Sequence, residues 1–588
     1  MIWTKLFIFF GFLVIILFGT AIYLNRQWKP LLSQQIQNAI RTSTDGLYAI
    51  SFGEISVNII TGNSSIKNIV LTPDTSVYSD LVKKGKAPRH LFAVEIAELE
   101  MNRIHPFKIY FKRKLEMESL IVFKPKIRMM FQGFSDSQDS ATDNITAYQR
   151  LSEYLRSIMI NKISLREVDF SYVDTGANIN HIKFSQNLDI EIARLLIDST
   201  SQFDQSKFFY TENISIRLLN YIYRTQNGMY NIKFKELTAS TQNKNARFVG
   251  LRVEPRYSEM RFSKILKKRA LRYDLRVNEL MLDGVDYKAF NTNRRLIANK
   301  LTITNSNLNI FLSKLFPRID NDELLTFPQA ALNRFSLETS IDSIKIKNAR
   351  IAYSEYSSKS GQSGKIFFDH LEGFITNFTN EPGVIAKNYF LKSSLTGLLM
   401  GKGQINTGLT LNLIDPAMSY TLNVHLGRIN ATLFNPILRP LTLIEIRNGS
   451  LTQAKVSLSG NYSGTRGLMW MKYSGLKVSL FRKQEDNPRL RKMSIASMAA
   501  NVLVLKNDNP TPGEKLRVSE INFKRPDSAS FINMNWKAVF KSIKGSIGID
   551  EITKQKMEAK LQDLKLEKAE RAERREERLK RRDKRKSK

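Results

Sequence analysis

The sequence predicts a mainly β protein with a transmembrane helix near its N-terminus and helices at its C-terminal end. Three observations carry this. Apolar and polar residues alternate with period two through much of the chain between Tyr48 and Gly513, and long helical periodicity is nearly absent there. Leu6 to Leu24 holds nineteen residues without a charge. Helical spacing returns at Phe531, and the segment from Asp550 to Lys588 has no glycine or proline.

The apolar run comes first. As a helix, Leu6–Leu24 would span roughly 28 Å, close to a bilayer's hydrocarbon thickness. Trp3 and Trp28 flank it where interfacial aromatics lie. A cleavable signal peptide is the competing reading, because Gly19, Thr20 and Ala21 are small. The run continues through Ile22, Tyr23 and Leu24, which favours a retained anchor. Lys5 and the amino terminus balance Arg26 and Lys29, so local charge decides little; an N-in, C-out signal anchor is the preferred orientation.

Leu32, Ile36, Ala39 and Ile40 follow with helical spacing that stops before Asp45-Gly46. The period then switches. Tyr48, Ile50 and Phe52 lead to Ile55, Val57 and Ile59, a break at Thr61-Gly62-Asn63, then Ile69 and Leu71. Ile214, Ile216 and Leu218 repeat the pattern, as do Tyr230, Ile232 and Phe234 after the Asn227-Gly228 turn. So do Leu409, Leu411 and Leu413 before Tyr420, Leu422, Val424 and Leu426. Tyr148–Ile158 is an expected helix, with Leu151, Leu155 and Ile158 on one face, after a polar loop from Gly133 to Asn144.

One degenerate phrase recurs: two alternating apolar residues, a polar or small pair, then two more. It reads Ile163, Leu165, Val168, Phe170; then Leu280, Leu282, Val285, Tyr287; then Ile344, Ile346, Ala349, Ile351, with a looser copy from Leu301 and Ile303 to Leu308 and Ile310. Any all-β chain also produces such phrases by chance. Strands this numerous cannot share one flat sheet; they must curl into a barrel, a sandwich or an elongated groove.

Composition bounds the function. Hydrophobic residues make up 42% and charged residues 25%, as in folded proteins. A net charge of +35 favours anionic partners. Cysteine is absent, which removes disulfides, thiolate metal sites and a cysteine nucleophile. His90, His105, His181, His370 and His425 are dispersed, and no phosphate loop, dinucleotide fingerprint or nucleophile elbow is present. His105, beside Pro106, reads as a turn residue. No catalytic, cofactor or metal residues are assigned, and the chain is expected to be non-enzymatic.

Nucleic acid is disfavoured as a partner: only the last residues, LKRRDKRKSK, are strongly basic, and no nucleic-acid fold motif accompanies them. The spacings Glu567 to Arg571 and Glu570 to Arg574 suit a solvated helix. Before it, Trp536, Val539, Phe540, Ile543 and Ile547 fall on one helical face, with Asp527, Ser528 or Ser530 as cap. That face suits an anionic membrane interface, through Trp536 and Phe540, or a plug for the end of the β body. The expected organisation is an anchor over 1–30, a juxtamembrane helix over 31–46, a β body over 47–525, an amphipathic helix over 526–549 and a charged, basic helical tail over 550–588.

In layout the chain resembles the AsmA-like family of bacterial envelope proteins, in particular its Bacteroidetes-type members. The resemblance runs through Gly46 to Phe52, Ile55 to Asn58 and Ile69 to Pro73. It is most specific at Leu433 to Leu441, Ile446 to Leu451, Tyr473 to Leu480, Asn509-Pro510 and Trp536-Lys537. It implies an elongated, curled antiparallel sheet forming a groove with an apolar concave face, rooted in the inner membrane by one span, with the body in the periplasm. It also implies lipid as cargo and a role in outer-membrane or envelope biogenesis, with possible envelope protein partners. Ile55, Val57, Leu165, Leu411 and Val424 are the candidate groove residues on their strand faces. The alternative is a structural or regulatory envelope scaffold with a closed β core.

Overall fold

The computed structural model describes most of residues 34–547 and a few residues between 570 and 574; outside it lie 1–33, 132–147, 175–180, 318–322, 493–505 and nearly all of 548–588, with some shorter stretches. The expected transmembrane run, Trp3, Trp28, the Gly133–Asn144 loop and nearly all of the basic tail therefore lie outside the described residues. Among the described residues no helix is long and apolar enough to cross a membrane. The fold is mainly β. It divides into two compact units: one of Met1–Arg224, Ile232–Leu251 and Leu280–Asn293, the other of Thr225–Asn231, Arg252–Glu279 and Arg294–Lys588, each as far as it is described.

In the first unit, residues 36–38 and 40–42 are helical as expected, with Ile36 and Ile40 buried. Gly46, at φ 78°, ends the turn that follows. The strands are β1 (Tyr48–Ser51), β2 (Ile55–Asn58), β3 (Asn63–Pro73), β4 (His90–Asn102), β5 (Lys114–Phe123), β6 (Lys126–Phe131), β7 (Ser157–Asp174), β8 (His181–Ile197) and β9 (Asn213–Arg224). β3 pairs antiparallel with β1, β2 and β4, and β4 with β5 and β6. Both β5 and β6 run parallel to β7, which continues antiparallel through β8 to β9. Ser157 opens β7, so Ile158 belongs to a strand and not to the helix its spacing suggested. Strand pairing to β5 overrides the local period, and Leu155 and Ile158 reach the same core either way.

The strands β10 (Tyr230–Ser240), β11 (Asn245–Pro255) and β12 (Arg272–Asp283) contribute residues to both units. The second unit contains β13 (Arg295–Ser313), β14 (Glu338–Ser357), β15 (Gln362–Thr379), β16 (Phe390–Leu399), β17 (Gly403–Asn412), β18 (Tyr420–Leu426), β19 (Ile429–Asn430), β20 (Ile444–Asn461), β21 (Gly464–Gln484), β22 (Asn487–Lys492) and β23 (Val518–Lys524). Here β13 and β14 are parallel over their whole length, while β14 to β18, then β20, β21 and β23, pair antiparallel in turn. The sheet is thus mixed, which corrects the expected all-antiparallel arrangement. Parallel pairs need long connections, and the chain between β5 and β7 and between β13 and β14 supplies them.

Several strands are long; β14 has 20 residues and β21 has 21, against about 5–6 for an ordinary strand. The recurring phrase explains how such strands keep one face apolar. Its polar or small pair carries a left-handed residue: Glu167 at φ 54°, Asn305 at 50°, Asn348 at 55° and Gly284 at 70°. In β7 and β14 the register shifts there, between Leu165 and Val168 and between Ile346 and Ala349. One extra residue changes the parity, so the apolar residues before and after the bulge point the same way. At Gly284 the phrase instead ends a strand, since β12 stops at Asp283.

Candidate functional site

Cross-strand partners share a face, so register traces that face across the sheet. In the first unit one row reads Ile55, Ile66, Leu99, Val122, Leu165, Ile190, Ile216. The next reads Val57, Ser64, Met101, Leu120, Ile163, Ile192, Ile214. In the second unit a row runs Leu301, Ile344, Ile375, Ser393, Leu409, Leu422, Leu458, Gly467, Ile521. Its neighbour runs Ile303, Ile346, Gly373, Leu395, Thr407, Val424, Val456, Met469, Ser519. Each unit therefore carries a continuous, nearly uncharged face.

Helices cover parts of these faces. Ile36, Ile40 and Ile109 join the core of the first unit, as does Leu155 from the segment before β7. In the second, the helix Asn435–Thr442 packs on β14, β15 and β20. There a Cβ at Gly364 would lie 2.9 Å from Leu441 Cγ, so the helix seats directly on the strand. The helix Phe531–Ser546 packs on β21 and β23, and Phe327 with Ala330 and Leu332 joins Leu391, Leu411 and Tyr420. Between these covers Ile346, Ile351, Phe368, Leu395, Leu409, Leu422 and Val424 are only half-buried.

All five candidate groove residues lie on these apolar faces. Ile55 and Leu165 stand in one row, Val57 in the next, and Leu411 and Val424 on the face of the second unit. Their exposure divides them. Ile55 (5%) and Leu411 (2%) are closed in core, while Val57, Leu165 and Val424 are half-buried. The C-terminal helix packs through a stripe offset from the face that its large apolar residues outline. Ser530 caps it, its hydroxyl accepting from Asn533 N at 3.3 Å, but Met534, Ala538, Ser542 and Ser546 form the buried stripe. Val539, Ile543 and Ile547 pack beside that stripe, whereas Trp536 is 46% exposed and stacks on half-buried Phe540 at 6.3 Å. Small residues let the helix approach the sheet closely, and the large aromatics are displaced to its flank.

The apolar face of β14 carries one carboxylate. Glu355 is buried, accepts from the Tyr353 hydroxyl at 2.7 Å and forms an ion pair with Lys314. Burial, reinforced by the neighbouring Glu355 charge, holds the Tyr353 hydroxyl well above the usual phenol range. On the opposite face of β13 to β15 lies an open cleft of about 570 Å³, lined by Arg272, Asp274, Lys365, Glu259, Asn309 and Phe311. It mixes both charges. Among the described residues no group of His, Asp and Glu is arranged to hold a metal ion. His105 stands before the helix Pro106–Lys112 as expected of a turn residue, and His425 Nε2 contacts Gln453 Nε2 at 2.6 Å.

Asn435 and Asn509 act as joints. Asn435 clamps the backbone of Ile446 from both sides, donating to its carbonyl at 2.8 Å and accepting from its N–H at 2.7 Å. Asn509 likewise donates to Met471 O at 2.7 Å and accepts from Arg517 N at 2.9 Å. The first pair fixes how helix and strand meet, and the second ties the segment before β23 to β21. Sequence reasoning passed over one feature: the helix Pro106–Lys112, where Phe107, Tyr110 and Phe111 are all exposed. Only the spelling PFKIYFK could have revealed it, because seven residues are too few for periodicity to register. Compared with known proteins, the chain matches no family model and no curated protein.

Proposed function

We propose that the chain is a membrane-anchored, AsmA-like envelope protein that binds lipid along its apolar β face and serves in envelope biogenesis. One observation carries this reading. The apolar face of the second unit is continuous over nine strands, yet its middle side chains are half-buried and not sealed in core. Acyl chains laid on such a surface would complete its burial, at about 25 cal/mol for each Å² removed from water. No residue is required to react. The apolar run Leu6–Leu24 supports the anchor, and the net charge of +35 suits anionic headgroups.

The alternative is a non-enzymatic scaffold with a closed core, favoured by the close packing of Ile55, Ile66 and Leu99 in the first unit. One experiment separates the two. Photo-crosslinkers are placed at Val57, Leu411 and Val424 of the full chain in cells, and the adducts are identified by mass spectrometry. Phospholipid adducts at Val57 and Val424 support lipid binding. Adducts confined to protein would sink it and leave the scaffold.

A further inference from the structure

We infer that the end of the first unit formed by Ile60 and the helix Pro106–Lys112 is a second membrane contact, which rests on the surface of an anionic phospholipid bilayer. This rests on the anchored reading above and adds a docking surface to it.

The surface is built by local chemistry. Asn58 Oδ1 accepts from the N–H groups of Ile60 (3.0 Å) and Thr61 (3.1 Å), a turn that leaves the Ile60 side chain 97% exposed. Gly62, at φ 71°, brings this turn against the segment leading into the helix: Ile104 N donates to Gly62 O at 2.9 Å, and a Cβ on Gly62 would meet Ile104 O at 2.1 Å. Arg103 N donates to Asn63 Oδ1 at 3.0 Å and closes the joint. Ile60 and the helix are thereby held at one end of β3 and β4.

The helix itself is turned outward. Among its described side chains only Ile109 is buried, while Phe107 is 68% exposed, Tyr110 58% and Phe111 73%. Phe107 and Phe111 stack at 6.4 Å with planes 9° apart, and Tyr110 meets Phe111 edge-on at 5.0 Å. A contiguous apolar patch of this kind marks a contact site. The segments flanking it are basic: Arg103, Lys112, Arg113 and Lys114 lie next to or within the helix in sequence, and Lys108 pairs with the acid Glu116. Exposed aromatic rings flanked by cations match the headgroup layer of an anionic bilayer, where rings settle at the interface and Lys and Arg meet lipid phosphates.

Chain length keeps a bilayer that holds Leu6–Leu24 close to the first unit. Leu24, the last residue of the apolar run, is ten residues before Gln34, the first described position, so the two are at most about 35 Å apart.

The absence of cysteine permits a direct test. Phe111→Cys and, as reference, Lys83→Cys are labelled with an environment-sensitive fluorophore in the full chain. Lys83 is exposed in the helix Thr75–Lys83, beyond the opposite end of β3. The proteins are reconstituted in phosphatidylcholine vesicles, with and without about one third phosphatidylglycerol. The label at 111 should be blue-shifted and quenched by nitroxide acyl chains about twofold or more above the label at 83, with anionic lipid strengthening the effect. Adding Phe107→Ser and Tyr110→Ser, both at exposed positions, should return it to water. A chain that floats with vesicles while the 111 label stays wet overturns this inference alone. A label that is dry but not quenched by lipid nitroxides assigns the patch to protein and overturns it too. A chain that does not float with vesicles overturns the anchored reading with it, whereas missing lipid adducts at Val424 would leave it standing.

Discussion

Asn348 on β14 donates through Nδ2 to Asn305 Oδ1 on β13 at 2.8 Å, joining two residues that both hold left-handed backbone conformations at equivalent positions of parallel strands. Asn348 Oδ1 in turn lies 3.0 Å from His370 Nδ1 on β15, and His370 is left-handed as well. Three neighbouring strands therefore bulge together, and the contacts between the bulged side chains lie on the solvent face while Ile346, Ile351 and Phe368 keep to the other.

Asparagine tolerates the left-handed region and β-branched residues do not. Asn348→Val should therefore destabilise the second unit by about 1–2 kcal/mol, whereas Asn348→Gly should change it by a fraction of that. Calorimetric melting of the two variants checks this. Equal losses would mean that the side-chain bond, not the backbone conformation, is what matters.

Within the apolar face, exposure should govern lipid access. Crosslinkers at Val57, Leu165 and Val424, which are half-buried, should yield lipid adducts, while Ile55 and Leu411 should yield protein adducts only. The comparison is internal, since each unit holds positions of both kinds. Uniform labelling at all five positions would show that the closed cores open in solution.

The C-terminal helix should show opposite responses on its two sides. Met534 is fully buried against Phe327, Leu411 and Tyr420, so Met534→Ala should cost about 2–5 kcal/mol through lost contacts and a cavity. Trp536→Ala removes a side chain from the solvent flank and should cost less than about 1 kcal/mol. Thermal melts of the two variants read this directly. A larger loss at Trp536 would mean that its flank, too, is packed.

The turn after β8 should be acid-sensitive. Burial pushes the Asp198 carboxyl up, but hydrogen bonds from Ser201 N (2.7 Å), from the Thr200 hydroxyl (2.8 Å) and from Thr200 N (2.9 Å) more than offset that and hold it below 3.8. Its folded value is depressed, so its contribution is present above the unfolded value and is lost as pH falls through the folded one. Amide protection over 198–203 should therefore fall selectively below about pH 4, and Asp198→Asn should remove that selectivity. A turn equally protected at pH 3 and pH 6 would contradict it.

Much of this architecture was legible in the chain. Period-two alternation located β1, β2, β3, β9, β10, β17 and β18, and the Asn227-Gly228 turn forms with Gly228 at φ 67°. The recurring phrase was visible as text, although its meaning was not: a list of apolar positions cannot tell a chance repeat from a bulge. Ile55, Val57, Leu165, Leu411 and Val424 lie on apolar faces because side chains alternate along a strand. The exposed helix Pro106–Lys112 stayed hidden, since aromatic residues in a short segment read as core until burial is known.

Strand content, turns and the apolar side of each strand follow from local pattern, because they depend on periods and on backbone preferences that neighbouring residues set. Packing between distant segments settled the rest. It chose parallel partners for β5, β6 and β13, directed Met534 and Ala538 inward in place of Trp536, and left Val424 half-covered while sealing Leu411. Those outcomes depend on which distant segments compete for the same surface, and packing density, not local pattern, settles that competition.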